Sequence, residues 1–160
     1  METVHKVAFL ALLSFALIVK ALYAVAQSSS PCSLLCKGQA ECFEGIVKDI
    51  VDGDTMMIGD ETVRLSLVNT PEKGDGRYQS AIDFLWSVCP VGSNAVVDED
   101  DLQTSRSHRR LLAVVYCEFG DRYINLNEVL LEQGQAVILE DFCDRSEFRK
   151  ENWATSHGCP

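Results

Sequence analysis

At 160 residues the chain predicts a single domain, and its 47% hydrophobic and 24% charged residues are those of an ordinary globular protein with a sizeable core. Its formal net charge of -10 excludes a polyanionic partner held by a long-range basic field. Phosphate binding would have to come from a metal ion or from locally clustered arginines.

Lys6, the apolar run Val7 to Val19 and Ala24-Val25-Ala26 before Gln27 have the form of a secretory signal, so residues 1–26 are expected to be removed after Ala26. Secreted or periplasmic residence follows from that reading. The alternative is an uncleaved anchor at the outer face of the membrane, but the run is shorter than the roughly 20 apolar residues of a membrane span and Lys20 interrupts it. Removing the segment leaves 12 cationic and 23 acidic side chains, a net charge near -11. All seven cysteines, Cys32, Cys36, Cys42, Cys89, Cys117, Cys143 and Cys159, follow the cleavage point, as a disulfide framework in an oxidising compartment would require. The odd count leaves one thiol over. Cys143 and Cys159 bracket one short helical segment and are the expected pair. Zinc at Cys32-x3-Cys36 or at His157-x-Cys159 is the alternative use, although neither has the paired C-x-x-C spacing.

Residues 27–44 are rich in Ser and Cys without a sustained period and read as a linker or cysteine-stapled extension, with the domain proper at 45–160. Ile46 to Val51, Thr55 to Ile58 and Thr62 to Val68 read as strands. Asp52-Gly53-Asp54 and Gly59-Asp60-Glu61 separate them as turns, giving a three-strand meander. Tyr78 to Val88 has helical spacing and is stopped by Cys89-Pro90-Val91-Gly92. Asn94 to Asp98 and Leu111 to Cys117 read as two more strands, Leu126 to Gln133 as a helix ending at Gly134, and Asp144 to Trp153 as a further helix.

Val63, Leu65 and Leu67 alternate with Arg64 and Ser66, so Arg64 and Ser66 are expected on the outer face of the third strand. Asp52, Asp54 and the Asn69-Thr70-Pro71-Glu72 corner bring carboxylate, amide and backbone oxygens to the two ends of that meander. Such a set suits a hard cation, calcium better than magnesium. Arg106, Arg109 and Arg110 form the one dense basic cluster. No His stands near a reactive Ser or Cys motif, so nucleophilic catalysis has no support.

The run from Val51 to Glu72, VDGDTMMIGDETVRLSLVNTPE, resembles the thermonuclease (staphylococcal nuclease-like) family, and the similarity extends from about Gly45 through Trp153. The resemblance implies an α+β, mainly β fold: an OB-fold barrel of five strands with about three packed helices. It also implies a calcium-dependent nuclease that hydrolyses phosphodiester bonds of DNA and RNA, single-stranded or frayed, with little sequence preference and 3'-phosphate products. Asp54 would be the main metal carboxylate, Asn69 would take the second carboxylate position, and Thr70 would offer its backbone carbonyl. Arg64 and Arg110 would be the catalytic arginines and Glu72 would orient or deprotonate water. Arg106, His108, Arg109 and Tyr78 would contact substrate, and the protein would act as a monomer. Three departures stand out. Asn69 replaces an aspartate of the best-known members, which removes one formal charge from the metal site. The Lys73 to Arg77 segment is short and Gly-rich, and His108 stands where a nucleotide-stacking tyrosine is usual. The competing class is a catalytically weak or inactive OB-fold module that binds nucleic acid. A cysteine-stapled extracellular scaffold is the third reading.

Overall fold

The computed structural model describes residues 30–104 and 109–160. Five strands close into a barrel. β1 (Cys42–Ile50) lies between β2 (Thr55–Ile58) and β5 (Asn94–Glu99), β3 (Glu61–Leu65) flanks β2, and β6 (Leu111–Phe119) flanks β5. A parallel pairing of β3 with β6, Val63 opposite Leu111, completes the ring. This α+β, mainly β architecture has the strand order of an OB-fold, as expected. The inward faces bury Val47, Met56, Val63, Leu65, Leu111 and Val115, which removes their apolar surface from water. Helix α2 (Tyr78–Val88) packs Ala81 and Leu85 inward, and α3 (Leu126–Glu132) adds Leu126 and Leu130. A short helix α1 (Pro31–Leu35) precedes the barrel and another, α4 (Asn152–Ser156), follows it.

Several boundaries differ from the sequence reading. β1 starts at Cys42, so residues 42–44 belong to the barrel rather than to a linker. The third strand stops at Leu65, because Leu67 takes a left-handed backbone with φ of 62° and starts a separate short strand, β4 (Val68–Asn69). β4 pairs with β8 (Val137–Ile138). The alternation argument therefore fails after Leu65: Ser66 is buried and donates a 2.8 Å hydrogen bond to Asp100. A strand absent from the sequence reading, β7 (Arg122–Asn125), folds back on β6 through a turn at Gly120. Its outer, polar edge carries little hydrophobic alternation. The expected helix over Asp144 to Trp153 is instead two 3₁₀ turns, Glu140–Arg145 and Glu147–Lys150, followed by α4. Ser146 breaks the run with an extended backbone and caps the second turn through its side chain.

Three disulfides tie this frame: Cys36–Cys42, Cys89–Cys117 and the expected Cys143–Cys159. They suit an oxidising environment. Both zinc readings are thereby overturned, since Cys36 and Cys159 are disulfide-bonded, and the His157 ring nitrogen meets the Trp153 carbonyl at 2.7 Å. The expected signal, 1–26, lies outside the described residues. Among the described residues no helix is long and apolar enough to cross a membrane.

The loop closed by Cys36–Cys42 is held by carboxylates at the end of β5. Asp98 accepts from the Lys37 N–H at 3.0 Å, Asp101 from Gln39 and Ala40, and Glu99 from Glu41. Burial pushes the Asp98 carboxyl up to about 7, with Glu147 and Asp101 adding repulsion against the opposing Lys37 N–H. The folded chain therefore holds a proton that the unfolded chain releases near 4, so this group's stabilisation is full below that value and is lost as pH rises towards 7. Asp98 therefore contributes a loss of stability across that interval. Denaturant titrations between about pH 4.5 and 8 should show stability declining across that window, and Asp98→Asn should flatten the decline.

Candidate active site

The D-G-D turn, the start of β2, the middle of β3 and the start of β6 meet at one end of the barrel. Thr55 opens β2 directly opposite Arg64 on β3, and Arg64 stands level with Leu112 on β6, two residues beyond Arg110. The turn is built tightly: the Asp52 side chain accepts from the Asp54 N–H at 3.1 Å, a local Asx bond. Gly53 has no room for a Cβ, which would lie 2.6 Å from the Thr70 hydroxyl and 2.7 Å from Ala81. Glycine is required here for close approach, which carries α2 and the Thr70 corner against the turn.

Asp54 is buried, 2% exposed, and both of its oxygens are engaged. Oδ1 takes a close ion pair from Arg64 and a 3.2 Å bond from the Thr55 hydroxyl. Oδ2 takes the Thr70 N–H at 3.1 Å and the Thr70 hydroxyl at 3.2 Å. Burial nevertheless pushes its carboxyl upward, against the opposing pull of the Arg64 guanidinium and the Thr70 N–H. The Arg64 side chain is only 15% exposed, tucked into this corner rather than lying on the outer surface as expected. Its second terminal nitrogen is 3.4 Å from both the Val68 carbonyl and Asn69 Oδ1.

Arg110 approaches the same turn from β6. Its Nη1 is 3.5 Å from the Thr55 hydroxyl, and its Nε is buried with no hydrogen-bond partner among the described residues. A buried donor without an acceptor is costly. Arg109, its neighbour, is exposed and has a left-handed backbone with φ of 68°. That conformation is costly for a non-glycine residue; one such residue, Arg109, stands just before β6 and the other, Leu67, just after β3. Of the two arginines that a one-residue register could exchange, Arg110 is the one that reaches the turn.

Two clefts adjoin this corner and share Asn69. One, of about 380 Å³, is lined by Thr70, Glu72, Lys73, Arg77 and Gln135. Glu72 is exposed there, and its carbonyl accepts from the Asp75 N–H at 2.9 Å to fix the bend after Pro71. The other, of about 660 Å³, has Arg64 in its wall beside Leu65, Leu112, Leu102, Phe142 and Arg145. The Arg145 guanidinium lies 5.5 Å from the centre of the Phe142 ring, and that ring is 40% exposed. The sequence reading missed these lining residues. Phe142 and Arg145 come from a 3₁₀ turn that was expected in part as helix, and their only local signal is an aromatic three residues before an arginine. Of the other expected substrate contacts, Tyr78 heads α2, half-buried, and lines neither cleft, while Arg106 and His108 lie outside the described residues.

Of the residues expected to hold calcium, Asp54 and Asn69 both reach the Arg64 guanidinium, and Thr70 meets Asp54 through its N–H and hydroxyl, not through the expected carbonyl. Asp54, Asn69 and the Val68 carbonyl converge on one guanidinium, an all-oxygen cradle around a positive charge, and Thr70 is bonded into it. Oxygen donors of this kind fit a hard cation, but the set holds one carboxylate. Among the described residues, the single group of three Cys, His, Asp or Glu side chains close enough to share an ion is Cys32, Cys36 and Cys42. Comparison with known protein families finds no match for this chain, and comparison with curated proteins finds none.

Proposed function

We propose that the chain is a phosphodiesterase of the thermonuclease type that cuts DNA and RNA. The observation that carries this reading is the convergence of Arg64 on β3 and Arg110, just ahead of β6, on the Asp54–Thr55 corner, with the buried Arg110 Nε without a hydrogen-bond partner among the described residues. A phosphate supplies the missing acceptors, and planar guanidinium forks bind its oxygens without losing their charge. Hydrolysis adds negative charge to those oxygens in the transition state, so two fixed guanidiniums stabilise it more than the bound substrate. Water attacks phosphorus, the bond to the leaving oxygen breaks, and that oxygen takes up a proton. Glu72, on the open cleft beside the corner, is the group that orients the water or takes its proton. The apolar wall of the second cleft, with Phe142 and Arg145, suits a nucleobase next to the phosphate.

Asp54, Asn69 and Thr70 would hold a calcium ion, which when bound supplies Lewis-acid charge at the phosphate oxygens. With a single carboxylate, the site should bind calcium weakly. The strongly acidic chain is drawn to nucleic acid by this local charge alone, so short or frayed single strands are the favoured substrates, with the protein acting as a monomer. Its disulfides agree with action outside the cell. Export itself rests on residues 1–26.

A second reading is favoured by the engagement of Arg64 with Asp54: an OB-fold module that binds oligonucleotides and does not cut them. A labelled single-stranded DNA and its RNA counterpart decide between the two. The enzyme reading expects cleavage with calcium and arrest by a chelator. Binding without cleavage at any calcium concentration would establish the module, and cleavage indifferent to chelation would remove the metal assignment.

A further inference from the structure

Outside the active corner, the most reactive chemistry lies at the N-terminal edge of the barrel. One sulfur from each of Cys32, Cys36 and Cys42 lies within 4.8 Å of the others, and two of these sulfurs form a disulfide while Cys32 is a free thiol. Cys32 lies on α1 and Cys36 caps its C-terminal end one turn later, the Cys36 N–H donating to the Cys32 carbonyl at 3.0 Å. Cys42 opens β1. All three residues are half-buried, whereas Cys89, Cys117, Cys143 and Cys159 are at most 4% exposed. Attack on a disulfide needs a thiolate within reach of an accessible sulfur, and among the described residues only this cluster combines the two.

We propose that Cys32, Cys36 and Cys42 form a thiol–disulfide exchange site in which the bond of Cys36–Cys42 passes to Cys32. The Cys32 thiolate attacks Sγ of Cys36 or of Cys42, a new sulfur–sulfur bond forms, and the old one breaks. The departing sulfur leaves with the electron pair and takes up the proton that Cys32 gave up. One disulfide and one thiol are present before and after, so no oxidant or reductant is consumed. The position of the thiol changes, and with it the attachment of the N-terminal arm. With Cys36–Cys42 closed, residues 37–41 form a covalent loop on β5. With Cys32–Cys36 closed, α1 is stapled to its own end and that loop keeps only its non-covalent ties, to Asp98, Glu99, Asp101 and Glu151 among the described residues.

Burial pushes the Cys32 thiol up, with Glu44 on β1 the next cause, then Asp98 on β5, against a bond to Ser30. Tyr123 on β7 also faces it. Little thiolate is therefore present at neutral pH, and exchange should quicken as pH rises.

The test uses the purified full-length protein, held at neutral pH or at about pH 9, acid-quenched and alkylated with N-ethylmaleimide before digestion. Trypsin cuts after Lys37, which separates the peptide carrying Cys32 and Cys36 from the one carrying Cys42. Exchange predicts a single label per chain that is divided between Cys32 and Cys36 or Cys42, with the divided fraction reached sooner at the higher pH. Cys32→Ser should give no label and one pairing. Label confined to Cys32 at both pH values after a day would overturn the proposal, as would label on Cys36 or Cys42 in Cys32→Ser, or equal labelling of the four buried cysteines.

Discussion

Replacing Arg110 with alanine is expected to slow cleavage of single-stranded nucleic acid by about 10²- to 10³-fold, the usual cost of losing one donor aimed at transition-state charge. The same substitution should leave the unfolding midpoint unchanged or raise it, because it removes a buried Nε that has no hydrogen-bond partner among the described residues. That opposition is diagnostic. An arginine kept for structure would lose stability along with activity. Arg110→Lys should stay nearly as slow as alanine, since a point charge lacks the planar fork that binds two phosphate oxygens. Turnover measured at saturating substrate beside a denaturant curve checks both halves, and full activity in either variant would remove Arg110 from the chemistry.

Arg64→Ala should affect both activity and folding. Arg64 neutralises Asp54 inside a corner where the carboxylate is 2% exposed, and breaking one partner of such a pair costs about 3–5 kcal/mol. Burial already pushes the Asp54 carboxyl up, and loss of the guanidinium removes the strongest opposing pull. The variant can relieve the buried charge by protonation, so its deficit against the parent should shrink as pH falls. Adding Asp54→Asn to Arg64→Ala should recover much of the stability, since the amide oxygen can still accept from Thr70, while hydrolysis stays lost. The double-mutant cycle reads the coupling energy of the pair. Additive losses would mean that the two side chains do not act together.

What could be read from the sequence followed local chemistry. The strand over Thr55 to Ile58 and the helix over Tyr78 to Val88 carry their own periods and stops, and both appear with the expected bounds. The barrel's strand order was reached only through the family resemblance, because the parallel pairing of β3 with β6 leaves no mark in either strand. Ser66 and Leu67 show where alternation misleads: a single left-handed residue turns the chain, and a serine expected in solvent is buried on Asp100. Arg64 was expected on the surface for the same reason, since alternation assigns a face and says nothing of the Val68–Asn69 segment that folds over it. Asp54, Asn69, Thr70 and Arg110 lie at one corner, each close to its neighbours in the motif or one strand away, whereas the wall built by Leu102, Phe142 and Arg145 depends on segments whose meeting only tertiary packing decides.

The seam between β3 and β6 has a kinetic consequence. No turn joins these strands; α2 and β5 intervene, so Val63 meets Leu111 only after a long loop has closed. Such pairings carry the largest entropic cost and set the pace of folding. Arg64 lies on one side of the seam and Arg110 at the start of the other. A refolding chain can therefore bring its two arginines together no earlier than the slowest pairing of the barrel, and the Cys89–Cys117 bond, which shortens that loop, should bring both events forward together.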